Sequence, residues 1–127
     1  MDKELNQMSL DIKLNGDKTK LYAFLDGEID HHTSSFLRTD IDLNINLYKP
    51  KALFIDFSAV SFMDSSGIGL VMGRYKKMHE IGGRVYIQNP PNHIKRVMLL
   101  SGVNKLAKIV NADMISEEVK TLEEGAK

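Results

Sequence analysis

The chain of 127 residues is long enough for one domain with one core and too short for two. Seventeen basic side chains balance seventeen acidic ones, so its charge favours neither a nucleic-acid partner nor an anionic membrane. The absence of cysteine excludes disulfides, thiolate nucleophiles and cysteine-ligated zinc. Without a signal-peptide pattern or an apolar run of membrane-spanning length, we expect a cytoplasmic protein.

Two short segments with alternating apolar residues open the domain. Residues 1–8 are polar and are expected to form a flexible extension, which leaves 9–127 for the domain itself. Apolar and polar side chains alternate over 9–14, the period of a half-buried strand. Turn-forming residues at 15–18 precede a second strand over 20–25, so we predict an opening β-hairpin.

The segment after this hairpin fits two kinds of element. Asp26-Gly27 is expected to end the second strand, and 28–33 to form a polar loop. Over 34–48 the apolar residues alternate as in a strand, but they also form one helical face. That face consists of Leu37, Ile41, Ile45 and Tyr48. We favour the helix because the segment exceeds the usual strand length and Lys49-Pro50 then breaks it before a buried strand.

The centre of the chain predicts a buried strand followed by a helix. Residues 52–57 are nearly all apolar, as in a strand covered on both faces, and 58–63 are expected to connect it to the helix. The helix begins near Ser65 and ends at Gly82-Gly83, where a left-handed cap is needed. Apolar residues at helical spacing, including the methionine and aromatic positions, are assigned to its core face: Ile68, Val71, Met72, Tyr75 and Met78.

The remaining elements complete an alternating pattern. We predict a short strand at 85–87, a helix over 94–101, an edge strand at 107–110 and an amphipathic helix over 114–124. Strands that alternate with helices indicate an α/β fold with right-handed crossovers. The expected architecture is a single domain with a mainly parallel mixed sheet of four to five strands, an opening β-hairpin and about four flanking helices.

A pair of serines marks the start of the central helix. Ser65 and Ser66 lie at or beside its N-cap, where a hydroxyl can satisfy a free backbone N–H, and capping alone is the simplest interpretation. However, Gly67, Gly69 and Gly73 weaken the helix and leave one side of its first turns nearly bare, which indicates close approach of the sheet or of a partner. An exposed serine at a helix N-terminus also suits a phosphate, because the dipole and free N–H groups favour an anion.

Two motifs together resemble those of the anti-sigma factor antagonists of bacterial sporulation. They are GEIDHHT at 27–33 and SFMDSSGIG at 61–69, followed by GRYK at 73–76 and IGG at 81–83. The likeness covers about 9–110. It implies a STAS-type fold and transcription regulation by partner switching, in which the unphosphorylated antagonist captures an anti-sigma factor and thereby frees a sigma factor.

The resemblance also implies roles for particular residues. Ser65 matches the serine that the cognate anti-sigma factor, itself a serine kinase, phosphorylates, and a separate serine phosphatase resets the switch. Asp30 matches an acidic loop residue near the partner surface, and Ile68 stands where leucine is common. The expected partner-binding residues are Asp30, His31, Thr33, Asp64, Ser65, Ser66, Ile68 and Gly69. No catalysis, cofactor, metal, nucleic acid or membrane is expected.

Alternative sites fit the sequence less well. His31-His32 with nearby carboxylates at Asp26, Glu28 and Asp30 could suggest a metal site, but adjacent loop histidines seldom face one ion, so a polar loop with Thr33 capping a helix is favoured. The serines lack the leading glycine of a nucleophile elbow, and the glycines lack a third member for dinucleotide binding. Basic residues outside the motifs are interpreted as solvated: His79, His93, Lys95, Arg96, Lys105 and Lys108. A regulatory STAS adaptor that binds a protein or small ligand without a sigma factor remains the alternative function.

Overall fold

A computed structural model describes residues 8–111 and places five strands and three α-helices there. The elements are β1 (Met8–Leu14), β2 (Lys20–Ile29), α1 (Thr33–Tyr48), β3 (Ala52–Met63), α2 (Ser65–Glu80), β4 (Arg84–Gln88), α3 (Asn92–Ser101), a 3-10 turn (Val103–Lys105) and β5 (Lys108–Val110). The predicted helix over 114–124 and residues 1–7 of the predicted extension lie outside the described residues, whereas Met8 already belongs to β1. No helix within the described range is long and apolar enough to cross a membrane.

The five strands form one sheet in the order β1-β2-β3-β4-β5. β1 pairs antiparallel with β2, with Ile12 opposite Ala23, and the other pairs are parallel. The crossovers pass through α1, α2 and α3, because parallel neighbours need a long connection. The predicted α/β fold, with a mixed sheet and an opening hairpin, is confirmed.

One face of the sheet and the three helices enclose the main core. Alternate residues of β2, β3 and β4, such as Leu21, Leu53 and Val85, belong to the same buried cluster as residues of the helices. The helical contributions to that cluster are Leu37, Ile41, Ile45, Leu70, Val71, Met78, Ile94 and Met98. Leu43 and Leu47, which a strand over 34–48 would bury, are 63% and 66% exposed, so the helical interpretation is correct.

The other face of the sheet carries a row of stacked aromatic rings. Tyr22, Phe54 and Tyr86 occupy neighbouring positions on β2, β3 and β4. The ring centroids of Phe54 lie 4.8 Å from those of both tyrosines, with 12° between the ring planes. Val110 of β5 extends this second, smaller apolar cluster. This row is called the ring ladder below.

Two predicted strand ends are wrong. β2 continues through Asp26-Gly27 to Ile29, and β3 continues through the predicted connection at 58–63. From Phe24 to Asp26, β2 moves two residues along the pairing while β3 moves three, from Asp56 to Ala59. A second change of register follows after Gly27. These bulges interrupt the two-residue period without ending the pairing, and Gly27 has a φ of 120°, which favours glycine.

One predicted core position of α2 is also wrong. Met72 is 48% exposed, although it was assigned with Val71 and Met78 to the buried face. The buried face of α2 instead includes Leu70 and Arg74, which rotates it away from Met72. Tyr75 and Ile68 are half-buried at its margins.

Candidate functional site

The two sequence motifs meet because β2 and β3 are parallel neighbours that end at the same edge of the sheet. Ile29 and Met63 form the last pair of the two strands, and the Asp64 N–H donates to the carbonyl oxygen of Ile29 at 3.1 Å. The segments that follow, 30–33 and 64–69, therefore form one surface although they are far apart in the chain. We call this surface, formed by the exposed and half-buried residues of the two segments, the switch surface.

Asp64 caps the N-terminus of α2. Its Oδ1 accepts hydrogen bonds from the N–H of Ser66 at 2.8 Å and from the Ser66 hydroxyl at 2.5 Å. The Ser66 hydroxyl and then its N–H hold the pKa of Asp64 below the ordinary value, as the His31 N–H also does, while burial and the charge of Asp30 oppose them. Asp64 is thus a charged cap, and the N–H of His31 in the other loop also stabilises its charge, whereas the charge of Asp30 repels it.

This arrangement makes the two serines chemically different. Ser65 is the first residue of α2 and is exposed, and its hydroxyl has no hydrogen-bond partner among residues 8–111. Ser66 is half-buried, and its hydroxyl donates a hydrogen bond to Asp64. Because the carboxylate of Asp64 performs the capping, the hydroxyl of Ser65 is available to another molecule. The two serines lie beside the N-cap as predicted, but neither hydroxyl accepts a helix N–H, since the cap acceptor is Asp64.

The glycines of α2 serve two different purposes. A Cβ atom on Gly67 would overlap the side chain of Met63, so this glycine allows the helix to approach the end of β3. A Cβ atom on Gly69 or Gly73 would meet nothing within 4 Å. The bare side of the helix at Gly69 and Gly73 therefore faces outward, next to exposed Met72. Close approach of the sheet therefore explains Gly67, whereas Gly69 and Gly73 leave open space in which a partner could approach the helix.

Asp30 caps α1 in a similar manner. Its Oδ1 accepts the N–H groups of His32 and Thr33, both at 2.9 Å. The Thr33 N–H, ahead of the His32 N–H, holds the pKa of Asp30 below its ordinary value. Thr33 does not act as the predicted cap. It is the first helical residue, and its hydroxyl donates to the carbonyl oxygen of Glu28 at 2.9 Å and accepts the Asp30 N–H at 3.0 Å.

The structure brings the predicted partner-binding residues together, but not all at the surface. Thr33 is 8% exposed and lies beneath the loop. The other seven are exposed or half-buried: Asp30, His31, Asp64, Ser65, Ser66, Ile68 and Gly69. Within residues 8–111, no group of three or more histidine, aspartate or glutamate side chains is arranged to hold a metal ion.

The sequence interpretation missed an ion pair between a buried arginine and a half-buried aspartate, which joins the two helices of the site. Arg74 of α2 is 5% exposed, and its Nε lies 2.9 Å from Oδ1 of Asp42 on α1. The N–H does not point at the oxygen, so the contact is an ion pair without hydrogen-bond alignment. Burial lowers the pKa of Arg74, and Asp42 opposes this shift. The signal was an arginine four residues from both Leu70 and Met78, on the apolar face of α2.

Comparison with known proteins identifies the family of this domain. The family model of the STAS domain matches residues 12–119. A curated relative, the anti-sigma F factor antagonist of Paenibacillus polymyxa, is 34% identical over 109 residues, which cover 84% of this chain and 92% of the relative.

Two solved structures have the same fold. The anti-sigma factor antagonist SpoIIAA in its unphosphorylated form superposes with a TM-score of 0.76 at 26% identity, over 89% of this chain and 97% of that one. The Bacillus cell fate determinant SpoIIAA in its phosphorylated form gives a TM-score of 0.69 at 27% identity, over 87% and 99% of the two chains. The chain belongs to the STAS-domain family and, within it, to the anti-sigma factor antagonists, which are not enzymes.

Proposed function

We propose that this antagonist binds a cognate anti-sigma factor through the switch surface, and that phosphorylation of Ser65 ends the binding. The anti-sigma factor is also the serine kinase that modifies Ser65, and a serine phosphatase restores the free hydroxyl. The bare form frees a sigma factor of the sporulation type in the cytoplasm. The relatives that support this proposal are named as anti-sigma factor antagonists, and one is known in both phosphorylated and unphosphorylated forms.

The observation that carries the proposal is the free hydroxyl of Ser65 on a helix N-terminus. A kinase needs an exposed hydroxyl, and among the two adjacent serines only Ser65 is exposed, while Ser66 is bound to Asp64. The bare strip at Gly69 and Gly73 lies along the same helix and admits a partner to the backbone. Phosphate acceptor and docking surface are therefore adjacent.

The charge at this site explains how one phosphate can end binding. A phosphoserine carries about −1.5 to −2 charges at neutral pH. On Ser65 it would join Asp64 and Asp30, whose pKa values are both below ordinary, so that a partner surface fitted to a hydroxyl would meet a cluster of anions. The dipole at the start of α2 favours that anion. We therefore expect local repulsion rather than unfolding.

The test is to incubate the protein with ATP and the anti-sigma factor of its own genome, and then to map phosphate by mass spectrometry. Phosphate on Ser65, lost in Ser65→Ala and retained in Ser66→Ala, would support the assignment. Labelling of Ser66 with Ser65→Ala still a good substrate would overturn the site. Neither labelling nor binding would favour the alternative, a regulatory STAS adaptor that binds another protein or a small ligand.

A further inference from the structure

The ring ladder lies on the sheet face that α1, α2 and α3 do not cover. Within residues 8–111, every member of its apolar cluster comes from a strand. Phe54, Val110 and Asp56, which follows Phe54 on the same face of β3, are nevertheless only 3% exposed. Sheets of parallel strands are ordinarily covered on both faces, and three of the four strand pairs here are parallel. This face is therefore expected to have a cover of its own.

The chain continues directly from one side of this face. β5 is the edge strand beside β4, and its last residue, Val110, belongs to the ladder cluster. Residues 112–127 follow, and they include the amphipathic helix predicted over 114–124. At 3.6 residues per turn, that helix would hold its apolar side chains within an arc of about 140°. They are Met114, Ile115, Val119 and Leu122.

The dimensions of the segment and of the sheet agree. Residues 111–113, at up to about 3.4 Å each, span about 10 Å, which is the usual separation of packed layers. From β5 to β2 the sheet measures three strand spacings, about 14 Å. An α-helix over 114–124 is about 16 Å long, so it can reach from β5 to Tyr22 on β2.

The charges of the face and of the segment are complementary. Lys20, Arg84 and Lys108 lie on the ladder side of β2, β4 and β5, in the row of the rings or in the row before it. Arg84 and Lys108 form no ion pair within the described range of the chain. Residues 112–127 contain five carboxylate side chains and two lysines. A segment with this excess of negative charge is attracted to a face with a basic rim.

We propose that residues 112–127 fold back as an amphipathic helix and cover the ring ladder, with the apolar arc of 114–124 against the rings. The occupant of this face is thus the chain's own C-terminal segment and not a second copy. The cover lies on the opposite side of the sheet from α2, so Ser65 stays accessible. By filling an apolar face, the segment also removes a surface on which two copies could associate.

The first test uses the full unphosphorylated chain. Nuclear Overhauser effects would be recorded between the methyl groups of Val119 and Leu122 and the ring protons of the ladder. A mixture of isotope-labelled and unlabelled protein separates contacts within one chain from contacts between copies. We expect the contacts to lie within one chain. Contacts only between copies, contacts with the exposed leucines of α3 instead, or no contacts at all would overturn the proposal.

A matched set of variants adds a measurement of stability. Val119→Asp and Leu122→Asp each place a carboxylate on the apolar arc, so both should shift the ring resonances of the ladder and lower the thermal midpoint by roughly 6 °C or more. Ser116→Asp adds the same charge on the polar side of the helix and is the control. Its midpoint should stay within about 2 °C of the parent's, without ring shifts. Equal midpoints and equal ring shifts in all three variants would contradict the proposal.

Discussion

The N-termini of α1 and α2 are built alike and yet expose different chemistry. Each follows a strand of the same parallel pair, and each is capped by a carboxylate that accepts an N–H of the first turn: Asp30 accepts that of Thr33 and Asp64 accepts that of Ser66. In α1 the first helical residue is Thr33, whose hydroxyl is buried in hydrogen bonds to the end of β2. In α2 the first helical residue is Ser65, whose hydroxyl is exposed and unpaired within residues 8–111.

The difference shows how a modification site can arise without weakening the fold. Because the aspartate satisfies the helix end, the hydroxyl at the next position is free for another task. Thr33 is the third residue after its capping aspartate and Ser65 is the first residue after its own, so the two hydroxyls meet different surroundings. The carbonyl oxygen of Glu28 lies within reach of the Thr33 hydroxyl, whereas the Ser65 hydroxyl has no such acceptor within residues 8–111.

The largest expected effect concerns the free hydroxyl. Phosphorylated Ser65 and, less completely, Ser65→Asp should lose about a hundredfold or more in affinity for the anti-sigma factor. Their thermal midpoints and amide spectra should match those of the parent except near residue 65. Ser65→Ala should bind normally. Titration calorimetry and NMR give both quantities, and a broad spectral change that tracks the lost affinity would show a conformational switch instead.

The buried hydroxyl should behave in the opposite way. Thr33→Val keeps the shape but leaves the Asp30 N–H without its acceptor and the Glu28 carbonyl without its donor, so we expect a loss of about 1–3 kcal/mol in unfolding free energy. Binding by the folded fraction should change little. Thr39→Val, on the exposed side of α1, is the matched control and should cost less. Equal denaturation midpoints for the two variants would contradict the contrast.

Gly67 and Gly69 allow the effects of a substitution on folding and on binding to be compared within α2. Gly67→Ala should destabilise the protein, since the added Cβ meets the buried side chain of Met63 and overpacking costs about 1–3 kcal/mol. Gly69→Ala has open space and should stabilise the helix by up to about 1 kcal/mol. We expect Gly69→Ala, despite its gain in stability, to weaken partner binding, and a bulkier residue there to weaken it further. Urea denaturation and calorimetry on the same pair of variants would show whether folding and binding separate.

The smallest expected effect is the pH dependence of the two caps. The folded pKa values of Asp30 and Asp64 are below ordinary, so their stabilisation is present above the unfolded value of about 3.9 and is lost as the pH falls through the folded values. Asp30→Asn and Asp64→Asn should lower the thermal midpoint at pH 7, with a difference from the parent that shrinks below about pH 4.

The turn at 15–18 provides a comparison for this titration. The hydroxyl and N–H of Thr19 lower the pKa of Asp17 to about 2, so its contribution should persist to lower pH and be lost as the pH approaches that value. A difference between parent and cap variants that stayed constant from pH 7 to pH 2 would mean that the carboxylate charges do not contribute.

Much of the fold follows from periodicity and turn chemistry. The helical face of Leu37, Ile41 and Ile45, the buried run of β3 and the left-handed Gly82, with its φ of 77°, are each properties of a few neighbouring residues. The continuation of β2 and β3 beyond their predicted ends depends on pairing between strands that lie about thirty residues apart. The sequence does not reveal this pairing, because each bulge interrupts the alternation of apolar and polar residues by which a strand is recognised.

The candidate site could be located from its motifs, but its internal arrangement could not. The motif shows two serines, and only coordinates show that the carboxylate of Asp64 binds Ser66 and leaves Ser65 free. Thr33 was expected at the partner surface, and the hydrogen bond to Glu28 places it beneath that surface. The pairing of Arg74 with Asp42 likewise depends on how α1 packs against α2, which no spacing within one helix can reveal.

The ring ladder provides an intrinsic spectroscopic signal of tertiary structure. The chain has four tyrosines and no tryptophan, and two of the tyrosines flank Phe54 on the sheet face opposite the helices. Rings held in a fixed chiral array give a near-ultraviolet circular dichroism signal that disappears when tertiary packing is lost. Because the ladder lies away from α2, this signal should survive modification of Ser65 and vanish only on unfolding. A spectrum recorded before and after kinase treatment can therefore separate a change of surface from a change of fold without any added label.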